Sequence, residues 1–225
     1  MQFDPCSITG GNMKIWSDSF KDGSPIPGHF AFCTIDPSTH VAMSENKNPH
    51  LAWNDVPTGT KSLALIIHDR DVPSKGDDVN QEGRDVPADL PRVDFFHWTL
   101  IDLPAGMTSI SEGEYSNGIT PRGKPGPETL HGARHGINDY TGWFAGDKDM
   151  AGDYYGYDGP CPPWNDTILH HYTFTLYALD VERLDVSGKF TGQDVRKAMQ
   201  GHILAEASIS GVYTLNPVLA ENAGN

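Results

Sequence analysis

The sequence predicts an all-β or β-rich fold with few long helices. Glycine (24) and proline (17) together make up about 18% of the 225 residues, above the usual share of about 12%, and this favours many turns. Several short apolar runs, separated by turn-rich segments, are typical of strands. With 37% hydrophobic and 10% aromatic residues the chain can bury a sizeable core, so wholesale disorder is excluded. We find no repeat or low-complexity linker and predict one domain over residues 1–225.

Apolar runs and alternation place the strands. We predict them at residues 29–35, 62–68, 95–101 and 172–178. In the last of these, Tyr172, Phe174, Leu176 and Ala178 share one face. Residues 67–95 and 111–163 are rich in Gly, Pro and acidic or polar residues, and we expect them to be long loops.

One short helix is predicted near the C-terminus. Thr191 and Asp194 have the spacing of a capping box, which satisfies free N–H groups at a helix start. The following apolar positions have helical spacing, and they are Val195, Ala198, Met199 and Ile203. We expect this stripe to pack on a sheet rather than to bind a partner.

Charge and segment composition exclude several protein classes. The 16 basic and 30 acidic side chains give a formal charge of −14, which argues against binding nucleic acid through phosphates. No basic and apolar leader or 20-residue apolar run is present, so we expect a cytoplasmic protein without stable membrane insertion. Cys6, Cys33 and Cys161 are far apart and form no CxxC pair, so we interpret them as reduced thiols.

Two of the predicted strands place candidate site residues: two carboxylates follow one of them, and a histidine lies inside the other. Asp69 and Asp71 follow the apolar run 62–68, and on an extended segment both would point the same way and could orient a histidine. Alternatively, they are turn formers before Pro73. His97 lies inside a strongly apolar strand, where its ring must be hydrogen-bonded or line a cavity.

A proline-rich segment precedes the strand that starts near His170. The sequence Gly-Pro-Cys-Pro-Pro at 159–163 restricts the backbone and predicts a rigid wall. His170 and Tyr172 would share a face beside it, which suggests a pocket. His131 and His135 have the spacing of zinc ligands on a helix, but neighbouring glycines argue against a helix there. Common motifs of serine hydrolases, zinc proteases and nucleotide-binding proteins are absent.

These motifs, in this order, resemble the phosphatidylethanolamine-binding protein family. The matching segments are Asp-Arg-Asp-Val-Pro at 69–73, Phe-His-Trp at 96–98, Gly-Pro-Cys-Pro-Pro at 159–163 and Leu-His-His-Tyr-Thr-Phe-Thr-Leu-Tyr-Ala-Leu-Asp at 169–180. The cysteine-containing form resembles the bacterial branch. Two residues depart from the family pattern, Arg70 where proline is often found and His171 where arginine is common.

The resemblance implies an all-β fold in which a large antiparallel Greek-key sheet packs on a smaller sheet, with a few peripheral helices. It also implies a pocket for anionic head groups such as phosphate. The pocket residues it implies are Asp69, His97, Gly159, Pro160, His170 and Tyr172, with Asp71 and Pro73 shaping the turn. Two imidazoles and a phenol would then supply donors to the anion.

By this resemblance we expect a small-ligand binding protein that uses no cofactor and no metal. One alternative is a hydrolase or other enzyme that uses the His/Asp cluster for acid-base or metal-assisted chemistry. Another is an inhibitor of a kinase or a protease, as some eukaryotic family members are, with the regulated protein partner contacting surface loops.

Two further expectations concern a peptide bond and the oligomeric state. The turn position makes Val72–Pro73 a candidate cis peptide bond. Five aromatic residues at positions 140–155 predict either a homodimer interface or a lid over the pocket.

Overall fold

The computed structural model describes residues 12–223; Cys6 lies outside this range. The strands are β1 (Lys14–Trp16), β2 (Cys33–Asp36), β3 (His40–Met43), β4 (Leu51–Asn54), β5 (Ser62–Pro73), β6 (Arg92–Pro104), β7 (Ser109–Ile110), β8 (Arg134–His135), β9 (His170–Leu179) and β10 (Ile203–Tyr213). The helices are short: α1 (Tyr140–Trp143), α2 (Gly192–Ala198) and α3 (Pro217–Ala223), with 3-10 turns at Gly28–Phe30 and Leu130–Gly132.

The strands form one large and two small antiparallel sheets. The five-stranded sheet has the order β10-β9-β5-β6-β8, the three-stranded sheet has the order β1-β4-β7, and β2 pairs with β3. In the large sheet, β5 pairs with both β6 and β9, although β9 follows it in sequence by about a hundred residues. This architecture confirms the predicted all-β fold class.

Both faces of the large sheet are covered. On the inner face, side chains such as Leu65 and Phe174 pack with Trp53 of the three-stranded sheet. On the outer face, Ile66 packs with Val195 of α2. Strand β5 is therefore buried on both sides, which explains its continuous apolar run where a half-exposed strand would alternate.

Two β-bulges shape the end of the sheet where the candidate residues lie. Ile67 pairs with Trp98 and His68 pairs with Phe96, so His97 is the extra residue of a bulge in β6. This places Trp98 in the inner cluster and Phe96 in the outer cluster, whereas residues two apart on a regular strand share a face.

The second bulge lies in β5, between its pairings at Asp69 and Val72. The prediction that Asp69 and Asp71 point the same way is therefore wrong. Asp69 contacts His170, whereas Asp71 contacts His171, the next residue of β9. Successive side chains of a strand point to opposite sides, so the two carboxylates serve different sides of the sheet.

The local predictions had mixed outcomes. Thr191 and Asp194 form the predicted capping box of α2, but the helix ends at Ala198 and Ile203 begins β10. Residues 29–35 are a strand only from Cys33 onward, because a 3-10 turn occupies Gly28–Phe30.

The structure bears on three further expectations, which concern the cysteines, a cis peptide bond and membrane-spanning segments. Cys33 and Cys161 form a disulfide across 128 positions, so the interpretation of both as reduced thiols is wrong. Folding brings their Cα atoms to within 4.9 Å of each other, which sequence spacing could not show.

Within residues 12–223 the cis peptide bond is Gly126–Pro127. The predicted cis bond before Pro73 is wrong, because the Val72–Pro73 bond is trans, and both residues pair with β6. No helix in this range is long and apolar enough to cross a membrane.

Candidate ligand-binding pocket

A cavity of about 250 Å³ lies on the inner face of the large sheet, at the edge where β5 ends and β6 and β9 begin. Four of the predicted site residues line it: Asp69, His97, His170 and Tyr172. The other three predicted residues, Asp71, Gly159 and Pro160, do not line it. We call the four lining residues the polar floor.

His170 is held between two carboxylates. Its Nδ1 lies 2.5 Å from Asp69 Oδ2 and its Nε2 lies 2.7 Å from Asp166 Oδ2, and all three side chains are buried. A ring nitrogen must donate to each carboxylate, so the ring carries both protons. Burial alone would lower the pKa of His170, but the hydrogen bonds to Asp166 and Asp69 outweigh it and raise this pKa to about 9. His170 is therefore an imidazolium at neutral pH.

Asp166 extends this network to Arg92. The guanidinium binds the carboxylate through two nitrogens, with N–O distances of 2.6 and 3.1 Å. Burial would raise the pKa of Asp166, yet the bonds from His170 and Arg92 lower it overall. Asp69, His170, Asp166 and Arg92 thus form a chain of alternating charges whose sum is zero.

His97 reaches the pocket from its bulge in β6. Its Nδ1 lies 2.7 Å from the main-chain carbonyl oxygen of Asp158, which can only accept, so Nδ1 carries the proton. Burial lowers the pKa of His97, and the charge of Asp69 offsets only part of this effect. The ring is therefore neutral at pH 7, with a lone pair on Nε2.

Tyr172 completes the polar floor. Its ring packs 5.2 Å from that of His97, and its hydroxyl oxygen is buried without a hydrogen-bond partner among the described residues. Burial, followed by the charge of Asp69, raises the pKa of this phenol well above its usual value. The hydroxyl remains protonated. Asp69 is close enough for its hydrogen bonding to contribute to the raised pKa, but the two groups do not meet the geometry of a hydrogen bond.

Gly159 and Pro160 lie behind the pocket wall. Both use their carbonyl oxygens within the protein: Gly159 accepts from the Tyr140 hydroxyl at 2.6 Å, and Pro160 accepts from the Phe32 and Cys33 amides. A Cβ on Gly159 would lie 2.1 Å from the main-chain oxygen of Phe30, so this position requires glycine. The segment therefore shapes the wall.

The Cys33–Cys161 disulfide lies in the same wall. Both cysteines line the cavity, together with Pro162 and Pro163. The bond joins β2 covalently to the proline-rich segment. The rigid wall predicted from the prolines thus has a cross-link that the sequence analysis missed.

Asp71 organises the neighbouring turn. Its Oδ2 accepts from the main-chain N–H of His171 at 2.7 Å and lies 2.8 Å from the Nδ1 of the same residue. The main-chain N–H of Asp71 donates to Asp69 Oδ1 at 2.7 Å, which fixes the carboxylate of the polar floor. Asp71 therefore acts on the pocket indirectly, through Asp69 and through Arg92, which donates to the main-chain oxygen of Asp71 at 2.9 Å.

The aromatic residues of positions 140–155 are mostly buried on their own chain. Tyr140, Tyr154 and Tyr155 are buried and Phe144 is partly buried, whereas Trp143 is 58% exposed. Tyr140, Trp143 and Phe144 line the cavity, as the lid alternative requires. An interface role is therefore not needed to remove most of this apolar surface from water.

His131 and His135 have separate surroundings. His131 is partly exposed and contacts Glu114, at 3.0 Å between Nε2 and Oε1. His135 is buried beside Trp98 and Tyr115, and burial lowers its pKa to about 3. The sequence argument against a helix holds, because His131 has a φ of 60°.

Sequence reasoning missed Asp166 and Arg92. Asp166 precedes His170 by four residues, and Arg92 begins β6. A buried histidine needs partners for both ring nitrogens, so the nearest acidic residue was a detectable candidate. Arg92 gave no comparable signal, because its contact with Asp166 depends on how distant segments pack.

The sequence and the fold can be compared with those of known proteins. The family model described as phosphatidylethanolamine-binding protein matches residues 16–214, which include the polar floor. The chain belongs to the phosphatidylethanolamine-binding protein family. This confirms the resemblance noted from the motifs. The single domain over residues 1–225 stays a prediction.

Family relatives match over most of their length. The chain is 30% identical to a UPF0098 protein of Aquifex aeolicus over 95% of both chains. It is 34% identical to a UPF0098 protein of Methanothermobacter thermautotrophicus over 79% of this chain and 89% of the relative. The crystal structure of Escherichia coli YbcL, described as a member of the mammalian PEBP family, superposes with a TM-score of 0.64 at 25% identity, covering 90% and 98% of the two chains.

Proposed function

We propose that this family member is a small-ligand binding protein whose pocket holds phosphate or a phosphorylated head group. The observation that carries the proposal is the buried hydroxyl of Tyr172, which has no hydrogen-bond partner within residues 12–223 and lies at a cavity floor that also holds His97 and Asp69. A buried polar atom without a partner is costly, and a ligand oxygen would satisfy it. His170, the fourth residue of the polar floor, holds Asp69 in place, since both of its ring nitrogens are bonded to carboxylates.

The cavity's mouth suits the organic part of such a ligand. Apolar side chains surround it, including the exposed Met43 and Trp143 and the partly buried Phe95. A polar floor below an apolar mouth favours a ligand with a small polar head and an apolar remainder. Free phosphate would use the floor alone.

The cysteine sulfurs and His170 are unavailable for the hydrolase alternative, whereas the neutral His97 keeps the lone pair of a general base on Nε2. Cys33 and Cys161 line the pocket, but their sulfurs are joined in a disulfide and cannot act as thiolate nucleophiles. His170 is cationic and occupied on both nitrogens, so it cannot serve as a general base at neutral pH.

The remaining predictions concern assembly and location. A homodimer and a regulated protein partner stay predictions, and sedimentation at several concentrations would test the dimer. A cytoplasmic location also stays a prediction, and the Cys33–Cys161 bond weighs against it because disulfides are rare in reducing compartments.

Calorimetric titration with phosphate and with O-phosphoethanolamine tests the proposed function. In Tyr172→Phe we expect phosphate affinity to fall by about tenfold or more, because a hydrogen bond to a charged group contributes about 1.5–3 kcal/mol. Tyr177→Phe is the matched control, since Tyr177 lies on the same strand and points to the outer face. Absence of phosphate binding in the unmodified protein, or equal losses in both variants, would contradict the proposal.

A further inference from the structure

The Cys33–Cys161 disulfide places a reactive bond in the wall of the pocket. Both cysteines line the cavity. Cys33 is 5% exposed and lies in an apolar cluster with Phe32, Tyr140 and Leu215, whereas Cys161 is partly exposed. A disulfide exchanges when a thiolate attacks one of its sulfurs, and the rate depends on access to that sulfur. The cavity therefore offers a small thiol an approach to Cys161.

The wall depends on this bond because its prolines cannot donate hydrogen bonds. The carbonyl oxygen of Pro160 accepts from two amides at the start of β2, at 2.9 and 3.2 Å. Pro162 and Pro163 have no N–H, and the carbonyl oxygen of Pro163 accepts from Asp166 within its own segment. Among the described residues, no hydrogen bond joins positions 161–163 to β2, so the disulfide and side-chain packing hold them there.

We infer that the disulfide is a thiol-exchange site, which small thiols reach through the ligand pocket. An entering thiolate attacks the Cys161 sulfur and forms a mixed disulfide with it. The bond between the two cysteine sulfurs breaks, and the Cys33 sulfur leaves as a thiolate that takes a proton from water. A second thiolate can attack the mixed disulfide, which releases the Cys161 thiolate and the oxidised small thiol. The inference does not depend on which ligand the pocket binds.

Exchange changes the pocket in two ways. A mixed disulfide at Cys161 places the substituent of the small thiol in a cavity of about 250 Å³, where it competes with a ligand for space. Full reduction leaves positions 161–163 without a covalent bond to β2. Ligand affinity is therefore coupled to the thiols and oxidants that surround the protein.

Two features of the rate identify exchange through the cavity. The Cys33 thiolate forms in an apolar cluster, which is costly, so exchange is slower than in the urea-unfolded chain. Attack through the cavity requires no unfolding, so its rate should stay nearly constant at urea concentrations well below the unfolding midpoint. Exchange that requires unfolding would instead rise exponentially with urea, as the unfolded population does.

Treatment of Cys6→Ser with 2-mercaptoethanol tests the site, since this variant keeps Cys33 and Cys161 as its two cysteines. Acid quenching at early times and mass spectrometry of the peptides locate the adduct. We expect it on Cys161, with Cys33 as a free thiol, and a rate that is insensitive to low urea. An adduct mainly on Cys33, or a rate that rises with urea as unfolding does, would overturn the inference.

Val79→Trp and its control Val93→Trp test the route. Val79 lines the cavity at its mouth, whereas Val93 is 47% exposed on β6 and is not among the lining residues. We expect Val79→Trp to slow exchange by about fivefold or more and Val93→Trp to change it by less than about twofold, because access limits the rate. Equal or faster exchange in Val79→Trp would contradict entry through the pocket. The urea dependence decides the question even if Val79→Trp does not fold.

O-Phosphoethanolamine gives a readout that connects the two proposals. Where calorimetry shows that it binds, we expect a saturating concentration to slow exchange by about tenfold, because ligand and thiol share one cavity. Binding without any slowing would overturn the shared route. If it does not bind, the proposed function fails, whereas the adduct position and the urea dependence still decide whether the disulfide is an exchange site.

Discussion

Replacing Asp166 by asparagine removes one of the two carboxylates that hold His170 in its charged form. The substitution keeps the side-chain volume and one acceptor oxygen, so it changes charge rather than packing. That oxygen could still accept from both His170 and Arg92, as Oδ2 does at 2.7 and 2.6 Å, but it would carry no negative charge. The amide nitrogen would then face the second guanidinium nitrogen of Arg92, which donates to Oδ1 at 3.1 Å. We expect a lower pKa for His170 and a less stable protein.

The size of the effect follows from the pKa of His170. This pKa is about 9, compared with 6.5 for a histidine exposed to water. The difference of about 2.5, at about 1.4 kcal/mol per pKa unit, corresponds to about 3 kcal/mol favouring the buried imidazolium. Asp166 and Asp69 share this stabilisation, and losing Asp166 also leaves the Arg92 charge without its partner. We therefore expect Asp166→Asn to lower the free energy of unfolding by about 3 kcal/mol at pH 7.

The pH dependence has a definite sign. A histidine whose pKa is raised on folding contributes stability fully below its unfolded value of 6.5, and the contribution is lost as pH rises through about 9. Urea unfolding between pH 6 and 10 should show this decline in the unmodified protein and a smaller one in Asp166→Asn. An NMR titration of the His170 ring reads the pKa directly.

Asp180→Asn is the control for this experiment. Asp180 and His202 form a pair at 2.8 Å, close to the 2.7 Å between Asp166 and His170, but both of its side chains are 43% exposed. Exposed pairs contribute about 1 kcal/mol or less. A loss in Asp166→Asn no greater than in Asp180→Asn would refute the reasoning, as would a pKa near 9 for His170 in both variants.

Three other substitutions test different parts of the structure. Gly159→Ala should destabilise the protein by several kcal/mol, since its Cβ would lie 2.1 Å from a backbone oxygen; Gly106→Ala, with open space around it, should lower the melting temperature little. Burial lowers the pKa of His135 to about 3, so the stability that the neutral ring contributes is present above pH 6.5 and lost as pH falls toward about 3. His135→Phe removes this group and should shift the midpoint of acid unfolding to lower pH; an unchanged midpoint would argue against this role. Cys161→Ser should lower the free energy of unfolding by about 4 kcal/mol without reductant, because the disulfide closes a loop across 128 positions; a similar loss after reductant is added to both proteins would show another cause.

Local sequence signals predicted the parts of the fold that local physics decides. The apolar run of β5, the alternation of β9 and the capping box at Thr191 need only neighbouring residues to be recognised. His170 and Tyr172 reached the pocket as predicted because they share a face of a regular strand. Recognising these features requires no knowledge of which strand or helix packs against them.

The features that were missed depend on pairing between distant segments. A bulge is visible only in the register of two strands, so the divergence of Asp69 and Asp71 could not be read from β5 alone. The contact of Arg92 with Asp166 joins residues 74 positions apart. The same holds for Cys33 and Cys161, whose pairing is a property of the folded wall.

The pairing of β5 on both sides has a consequence for motion at the pocket. From Ser62 to Asp69 this strand is bonded to both β6 and β9, so its amides can exchange hydrogen for deuterium only when much of the large sheet opens. Asp69 is the last residue of β5 with a partner in β9. The floor therefore belongs to the part of the molecule that opens only with the large sheet. Val79 and Asn80 at the mouth lie outside that sheet, on a loop held by hydrogen bonds to Asn165 and Trp164. A ligand would find its polar contacts already ordered, and its rates of entry and exit would be set at the mouth.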